Sequence, residues 1–239
     1  MPEVTRLRRV GHKGADLIVP GNTLASFDAA LVAGVDMIEF DVLPERGTDR
    51  LLLAHDYADA GKRTPHTLEE ALTYLGSARF EGIELDLDLK LPGYEQAVLD
   101  HVRDAELSDR VLISTQYRSS LELIRASEPG VRLGWSVPKV TRDPFRSRTT
   151  AVAALAMVRA LRLVLPGRAA AAIKAGSCDA LMVHWRLVTA RLVSRVRGVD
   201  GEIYVWTVDD LSQLAALVAL GVTGVITNDP RLFGELEAR

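Results

Sequence analysis

One cysteine, Cys178, stands among 239 residues, so an intrachain disulfide and a cysteine-ligated zinc cluster are both excluded. No basic tail or basic block accompanies the net charge of −3, which gives no electrostatic case for nucleic acid or for a membrane surface. The segment from Met1 to Arg9 is basic but lacks the apolar core and small-residue cleavage site of a signal peptide, so a cytoplasmic location is the default expectation. The longest aliphatic stretch, Thr149 to Pro166, is broken by Arg159 and Arg162 and is too short to span a bilayer. No low-complexity stretch or linker divides the chain, so one domain is expected over 1–239.

What is present is a chain that can fill a large core: 48% of residues are hydrophobic and 26% charged. Short apolar runs alternate with longer amphipathic ones, the form taken by repeated βα units. Strands are expected at Leu7–Gly11, Asp36–Val42, Ile83–Leu89, Val111–Ser114, Val131–Ser136, Ala180–His184, Ile203–Thr207 and Gly224–Thr227. Right-handed crossovers between that many parallel strands favour a closed (β/α)₈ TIM barrel, with an open doubly wound sheet as the rival. Between the second and third of these, Arg50–Ala54 follows a short turn and reads as an antiparallel return strand. It opens a short, reduced insertion after the second strand. Helix starts are marked by Asn22-Thr23, by the Thr67-Leu68-Glu69-Glu70 capping box and by Asp209-Asp210.

Active sites of such barrels form where strands end. Gly11-His12-Lys13-Gly14 closes the first strand. Glu39 and Asp41 are two residues apart and point to one side of the second, as do Glu84, Asp86 and Asp88 on the third, which ends in Lys90. Inward carboxylates cost several kcal/mol each if unpaired, so a hard divalent cation is the economical partner. The bland alternative is pairing with arginines. His12 and His55 lie at strand ends on adjoining elements and suit proton transfer. His66 lies in a Pro-containing loop and His101 inside a helix, both without that placement, while His184 ends a strand without a named role.

The order His12-Lys13-Gly14, Pro20-Gly21-Asn22-Thr23-Leu24, Glu39-Phe40-Asp41 and His55-Asp56 resembles the opening of the glycerophosphodiester phosphodiesterase family. Later, Thr67 to Leu72, Asp88-Leu89-Lys90, Trp206-Thr207 and Thr227-Asn228-Asp229-Pro230 match that family's remaining segments in order. The resemblance implies hydrolysis of glycerophosphodiesters to glycerol 3-phosphate and an alcohol, by a phosphoric diester hydrolase. It also implies one divalent cation, Mg²⁺ or Ca²⁺, on Glu39, Asp41 and Asp88, and acid–base catalysis by His12 and His55. Which histidine acts as base is open. Substrate binding would fall to Lys13, Asn22, Lys90 and Trp206.

Four departures stand against this pattern. Lys13 replaces Arg, Gly21 replaces Glu, Asp88 replaces Glu, and the stretch from His55 to Thr67 is short. Asp86, or failing that Glu84, is the alternative third ligand. A wider mouth would admit lysolipid phosphodiesters in a lysophospholipase D-type reaction. A decayed site would leave a barrel that binds phosphate ligands without turnover. A Schiff-base aldolase using Lys90 is a further enzymatic alternative.

Overall fold

In the computed structural model, which describes residues 6–139 and 148–238, eight parallel strands close on one another. They are β1 (Arg8–Gly11), β2 (Met37–Pro44), β4 (Glu84–Leu89), β5 (Val111–Thr115), β6 (Arg132–Val137), β7 (Ala180–His184), β8 (Glu202–Trp206) and β9 (Gly224–Thr227). Parallel pairing of β1 with both β2 and β9 shuts the ring, which removes the open-sheet alternative. The remaining strand, β3 (Leu51–Leu53), runs antiparallel to the end of β2, Val42 facing Leu53, as the short turn before it requires. Strand positions agree with the sequence expectations to within one or two residues.

The helices are α1 (Leu24–Val32), α2 (Tyr57–Ala60), α3 (Leu68–Leu75), α4 (Glu95–Asp104), α5 (Arg118–Ser127), α6 (Arg148–Lys174), α7 (Ala190–Arg197), α8 (Leu211–Leu220) and α9 (Arg231–Glu237). Local chemistry starts them. Thr23 and Thr67 close capping boxes with Ser26 and Glu70, and Asp210 accepts from the Gln213 N–H. Gly221 ends α8 with a φ of 78°, a conformation glycine adopts without penalty. In α6, side chains are described from Leu155 onward.

Strand residues sort by parity into two cores. Ile38, Phe40, Leu85, Leu87, Ile113 and Val183 point outward and pack under the helices. The other parity fills the barrel with Val10, Met37, Leu112, Met182, Tyr204 and Ile226. Gly134 makes this filling possible, since a Cβ there would sit 2.9 Å from Met182 Cγ. Beneath that layer, at the strand N-terminal end, Arg8 donates to Glu84 (2.5 Å), Arg132 donates to Glu84 (2.8 Å) and to Glu202 (2.6 Å), and the Tyr204 hydroxyl joins at 3.3 Å from Arg132. The other end is open to a cavity of about 670 Å³.

Candidate active site

The turn after β1 is built on unusual backbone. Lys13 has a φ of 50°, in the left-handed region that costs a side-chain-bearing residue roughly 1–2 kcal/mol. The conformation aims its backbone N–H at Glu39 Oε2, 2.8 Å away. Asn22 has a φ of 55°, which asparagine tolerates, and its fully buried amide grips Asp41 twice. Its Nδ2 donates to Asp41 Oδ2 (2.8 Å), and its Oδ1 accepts from the Asp41 N–H (3.0 Å). The β1–α1 turn thereby orients both carboxylates of β2.

Register does the rest. Glu39 lies opposite Asp86 and Asp41 opposite Asp88, so the β2–β4 pair carries two rungs of carboxylates into the barrel. Donor atoms of Glu39, Asp41 and Asp88 lie within 4.8 Å of one another. Asp86 sits one rung deeper beside the Ser114 hydroxyl, and neither of its buried oxygens makes a hydrogen bond of ordinary geometry among the described residues. Glu84 is a correction to the sequence expectation: it belongs to the arginine cluster at the far end of the barrel and is no substitute ligand. The Lys90 ammonium contacts both Asp41 and Asp88, and Lys13 Nζ is 3.9 Å from Asp41.

Four carboxylates thus face two ammonium groups in a largely buried pocket, which shifts their protonation. Burial, then the neighbouring Asp41 charge, pushes Glu39 up to about 8. Burial, then Glu39 and Asp88, drives Asp86 well above the carboxylate range. Burial would raise Asp41 too, but the Lys90 and Lys13 charges outweigh it and hold this carboxyl well below that range. Lys90 stays an ammonium despite burial, because Asp41 and Asp88 flank it. Its ion pairs with Asp41 and Asp88 favour the ammonium over the neutral amine that a Schiff base needs. Orphaned buried oxygens and an all-oxygen donor set are what a hard divalent cation satisfies. The residues fit such an ion.

His12 Nδ1 is 2.5 Å from Asn228 Oδ1, and Asn228 is fixed by Asp209, which accepts from its side-chain amide (2.7 Å) and its backbone N–H (2.9 Å). Since Oδ1 can only accept, the bond places the proton on Nδ1 and leaves the Nε2 lone pair facing Glu39, 3.8 Å away. Burial and then Lys13 hold the His12 imidazole below its ordinary range, so it is neutral at pH 7. His55 follows β3 at the rim, half exposed, its Nδ1 3.3 Å from Asp56. Both histidines line the same cavity. His184 lines it as well and meets the Trp206 ring edge-on at 5.2 Å. His66 pairs with Glu70 at 3.6 Å on α3, and His101 lies within α4; neither lines the cavity.

Two models described as the glycerophosphoryl diester phosphodiesterase family match this chain, one over residues 12–44 and one over 202–231. These are the segments that carry His12, Glu39 and Asp41 at one end and Trp206 and Asn228 at the other. A glycerophosphodiester phosphodiesterase of Caldanaerobacter subterraneus is 23% identical over 92% of this chain and 93% of its own. Sequence models and relatives alike make this chain similar to the glycerophosphodiester phosphodiesterase family. Solved structures agree on the fold. A glycerophosphodiester phosphodiesterase from Parabacteroides distasonis superposes with a TM-score of 0.74 at 16% identity, covering 97% of each chain. An Oleispira antarctica phosphodiesterase, solved with its product sn-glycerol-3-phosphate, gives 0.71 at 19% identity over 98% of each.

The departures from the glycerophosphodiester phosphodiesterase pattern acquire physical reasons here. A Cβ at Gly21 would lie 2.6 Å from Asp16 Oδ1, because the Asp16 carboxylate occupies that space and accepts the Gly21 N–H at 2.7 Å. Asp16 also lies 3.8 Å from Lys13 Nζ. A carboxylate from position 16 thus occupies the space a side chain at position 21 would take, which sequence reasoning missed because both residues belong to one folded turn. The shorter Asp88 still joins Glu39 and Asp41 in one donor group. Arg63 was missed too: it donates to the carbonyls of Leu53 (2.8 Å) and Asn22 (3.3 Å), tying the short insertion to the site.

Proposed function

We propose that this chain hydrolyses glycerophosphodiesters to glycerol 3-phosphate and an alcohol, with Glu39, Asp41 and Asp88 holding one divalent cation. The observation that carries the reading is the close group of Glu39, Asp41 and Asp88 donor oxygens beside the cavity that His12 and His55 line. When bound, the cation supplies Lewis-acid stabilisation of charge on the phosphate. Lys13 and Lys90 neutralise further phosphate oxygens, and Trp206 forms a wall for the alcohol. The neutral His12, with Nε2 unprotonated, takes the proton from the attacking hydroxyl, which is that of water or of the glycerol 2-position; in the second case a water then opens the cyclic phosphate to glycerol 3-phosphate. His55, at the exposed rim beside Asp56, returns a proton to the departing alkoxide. Asn228 and Asp209 hold the His12 ring in the tautomer this needs.

A second reading is favoured by the cavity wall. Leu43, Leu91, Pro138, Val158, Leu161 and Leu187 line its outer part, an apolar surface that a small polar diester would leave unused. A lysolipid phosphodiester would cover it. The decisive experiment assays glycerophosphocholine, glycerophosphoethanolamine, glycerophosphoinositol and lysophosphatidylcholine with Mg²⁺ and with Ca²⁺. Turnover that EDTA abolishes and either ion restores is expected. Absence of turnover with every substrate and both ions overturns the catalytic reading in favour of a binding barrel.

A further inference from the structure

Helix α6 is too long for its place in the barrel. Its 27 residues extend about 40 Å at 1.5 Å each, whereas a strand of five or six residues rises only ~17–20 Å. The C-terminal half packs conventionally, burying Leu165, Ala169 and Ala172. Between Leu155 and Pro166 the helix lines the cavity mouth with Met157, Val158 and Leu161, while other apolar side chains of this stretch stay bare. Leu155, Leu163 and Val164 are 49%, 69% and 50% exposed. Exposed apolar side chains on this scale belong in an apolar surrounding, and none of the described residues supplies one here.

Two further observations say what that surrounding is. Leu17 and Ile18, in the turn after β1, are also exposed, and β1 stands opposite β6, from which α6 continues, in the eight-strand ring. Apolar side chains therefore flank the mouth from two opposed sides. Secondly, α6 carries Arg148, Arg159, Arg162, Arg168 and Lys174 with no acidic residue, in a chain whose net charge is −3. Arg159 and Arg162 are exposed among the bare leucines. Apolar side chains interleaved with arginines are the chemistry of an interfacial helix on an anionic bilayer.

We propose that the stretch of α6 from Leu155 to Val164, with Leu17 and Ile18 across the mouth, docks the protein on an anionic phospholipid surface with the cavity facing the lipid. The proposal stands apart from the phosphodiesterase reading, because it concerns adsorption alone. The test is co-sedimentation with vesicles of phosphatidylcholine and with vesicles of equal parts phosphatidylcholine and phosphatidylglycerol, alongside hydrolysis of a water-soluble diester. Strong, salt-sensitive binding to the anionic vesicles only is expected. Loss of roughly tenfold in partitioning is expected both for Arg159→Glu, from the charge, and for Leu155→Ser with Leu163→Ser, from the apolar area. Circular dichroism and soluble-diester hydrolysis should not change in these variants, since none of the three residues lines the cavity. Equal binding to both vesicle types, no binding to either, or a concentration-dependent dimer that the same substitutions dissolve would each overturn it.

Discussion

Strand β4 carries Glu84, Asp86 and Asp88 along one inward face, and its two ends meet opposite fates. At the strand N-terminal end Glu84 lies between Arg8 and Arg132, with Glu202 balancing the second arginine, so two carboxylates face two guanidinium groups in short hydrogen bonds. At the other end Glu39, Asp41, Asp86 and Asp88 face only Lys13 and Lys90, and among the described residues no ammonium or guanidinium pairs with Asp86. The same residue type at the same spacing is thus structural where its charge is matched and poised for a ligand where it is not. Buried ionisable groups are retained unmatched only where something else completes them.

Breaking the unmatched end should produce the largest effects. Asp41→Asn removes a donor from the cation group and the partner of Asn22 and Lys90, and should lower kcat/KM by at least ~10²-fold together with metal affinity. Mg²⁺ titration of the rate checks both, and an unchanged metal dependence would place the ion elsewhere. His12→Ala and His55→Ala should each lower kcat by roughly 10²–10⁴-fold with the fold intact. A near-normal rate in either removes that histidine from the chemistry.

Breaking the matched end should reverse the pattern. Glu84→Gln strips two arginines of their partner and should cost about 1–3 kcal/mol in urea unfolding, with activity retained. Asp86→Asn replaces a carboxyl that burial and its acidic neighbours keep protonated with a neutral amide of similar shape, so the metal-free protein should be about as stable as the parent. A large loss in Asp86→Asn, or none in Glu84→Gln, would erase the distinction between the two ends.

The distinction also has a pH signature. Glu39 titrates near 4.5 when exposed and near 8 in the folded, metal-free site. Between those values the native state keeps a proton that the unfolded chain releases. The contribution is therefore fully present below the unfolded value and is lost as pH rises through about 8. Thermal unfolding of the EDTA-treated protein should show Tm falling across that window, and saturating Mg²⁺ should flatten the slope. The smallest effect expected is from Lys13→Arg, which keeps the charge and adds a second donor prong toward phosphate. A severalfold gain on small diesters is anticipated in steady-state assays, and a fall would show that the turn fits lysine for another substrate.

Most of the strands and caps were legible because their signals are local. Two-residue alternation places Glu39 with Asp41 and Asp86 with Asp88 before any coordinate is known, and Thr23, Thr67 and Asp210 announce their helices. The partners were not legible. Glu84 read as a possible ligand because spacing alone cannot tell which end of a strand will meet Arg132, 48 residues later. Asp16 went unnoticed because it fills the space over Gly21 only once the turn has folded back. The net charge of −3 likewise concealed a helix with five basic residues and no acidic one.

Residue order and periodicity by themselves determined a barrel of alternating strands and helices, the inward parity of the acidic positions, and the histidines at strand ends. Those properties follow from backbone geometry, which repeats over a few residues. Tertiary structure alone decided which charges are matched, which imidazole nitrogen is left unprotonated, and which apolar side chains remain uncovered. Each of these depends on groups distant in the chain brought to within a few ångströms, where burial sets how much a missing partner costs.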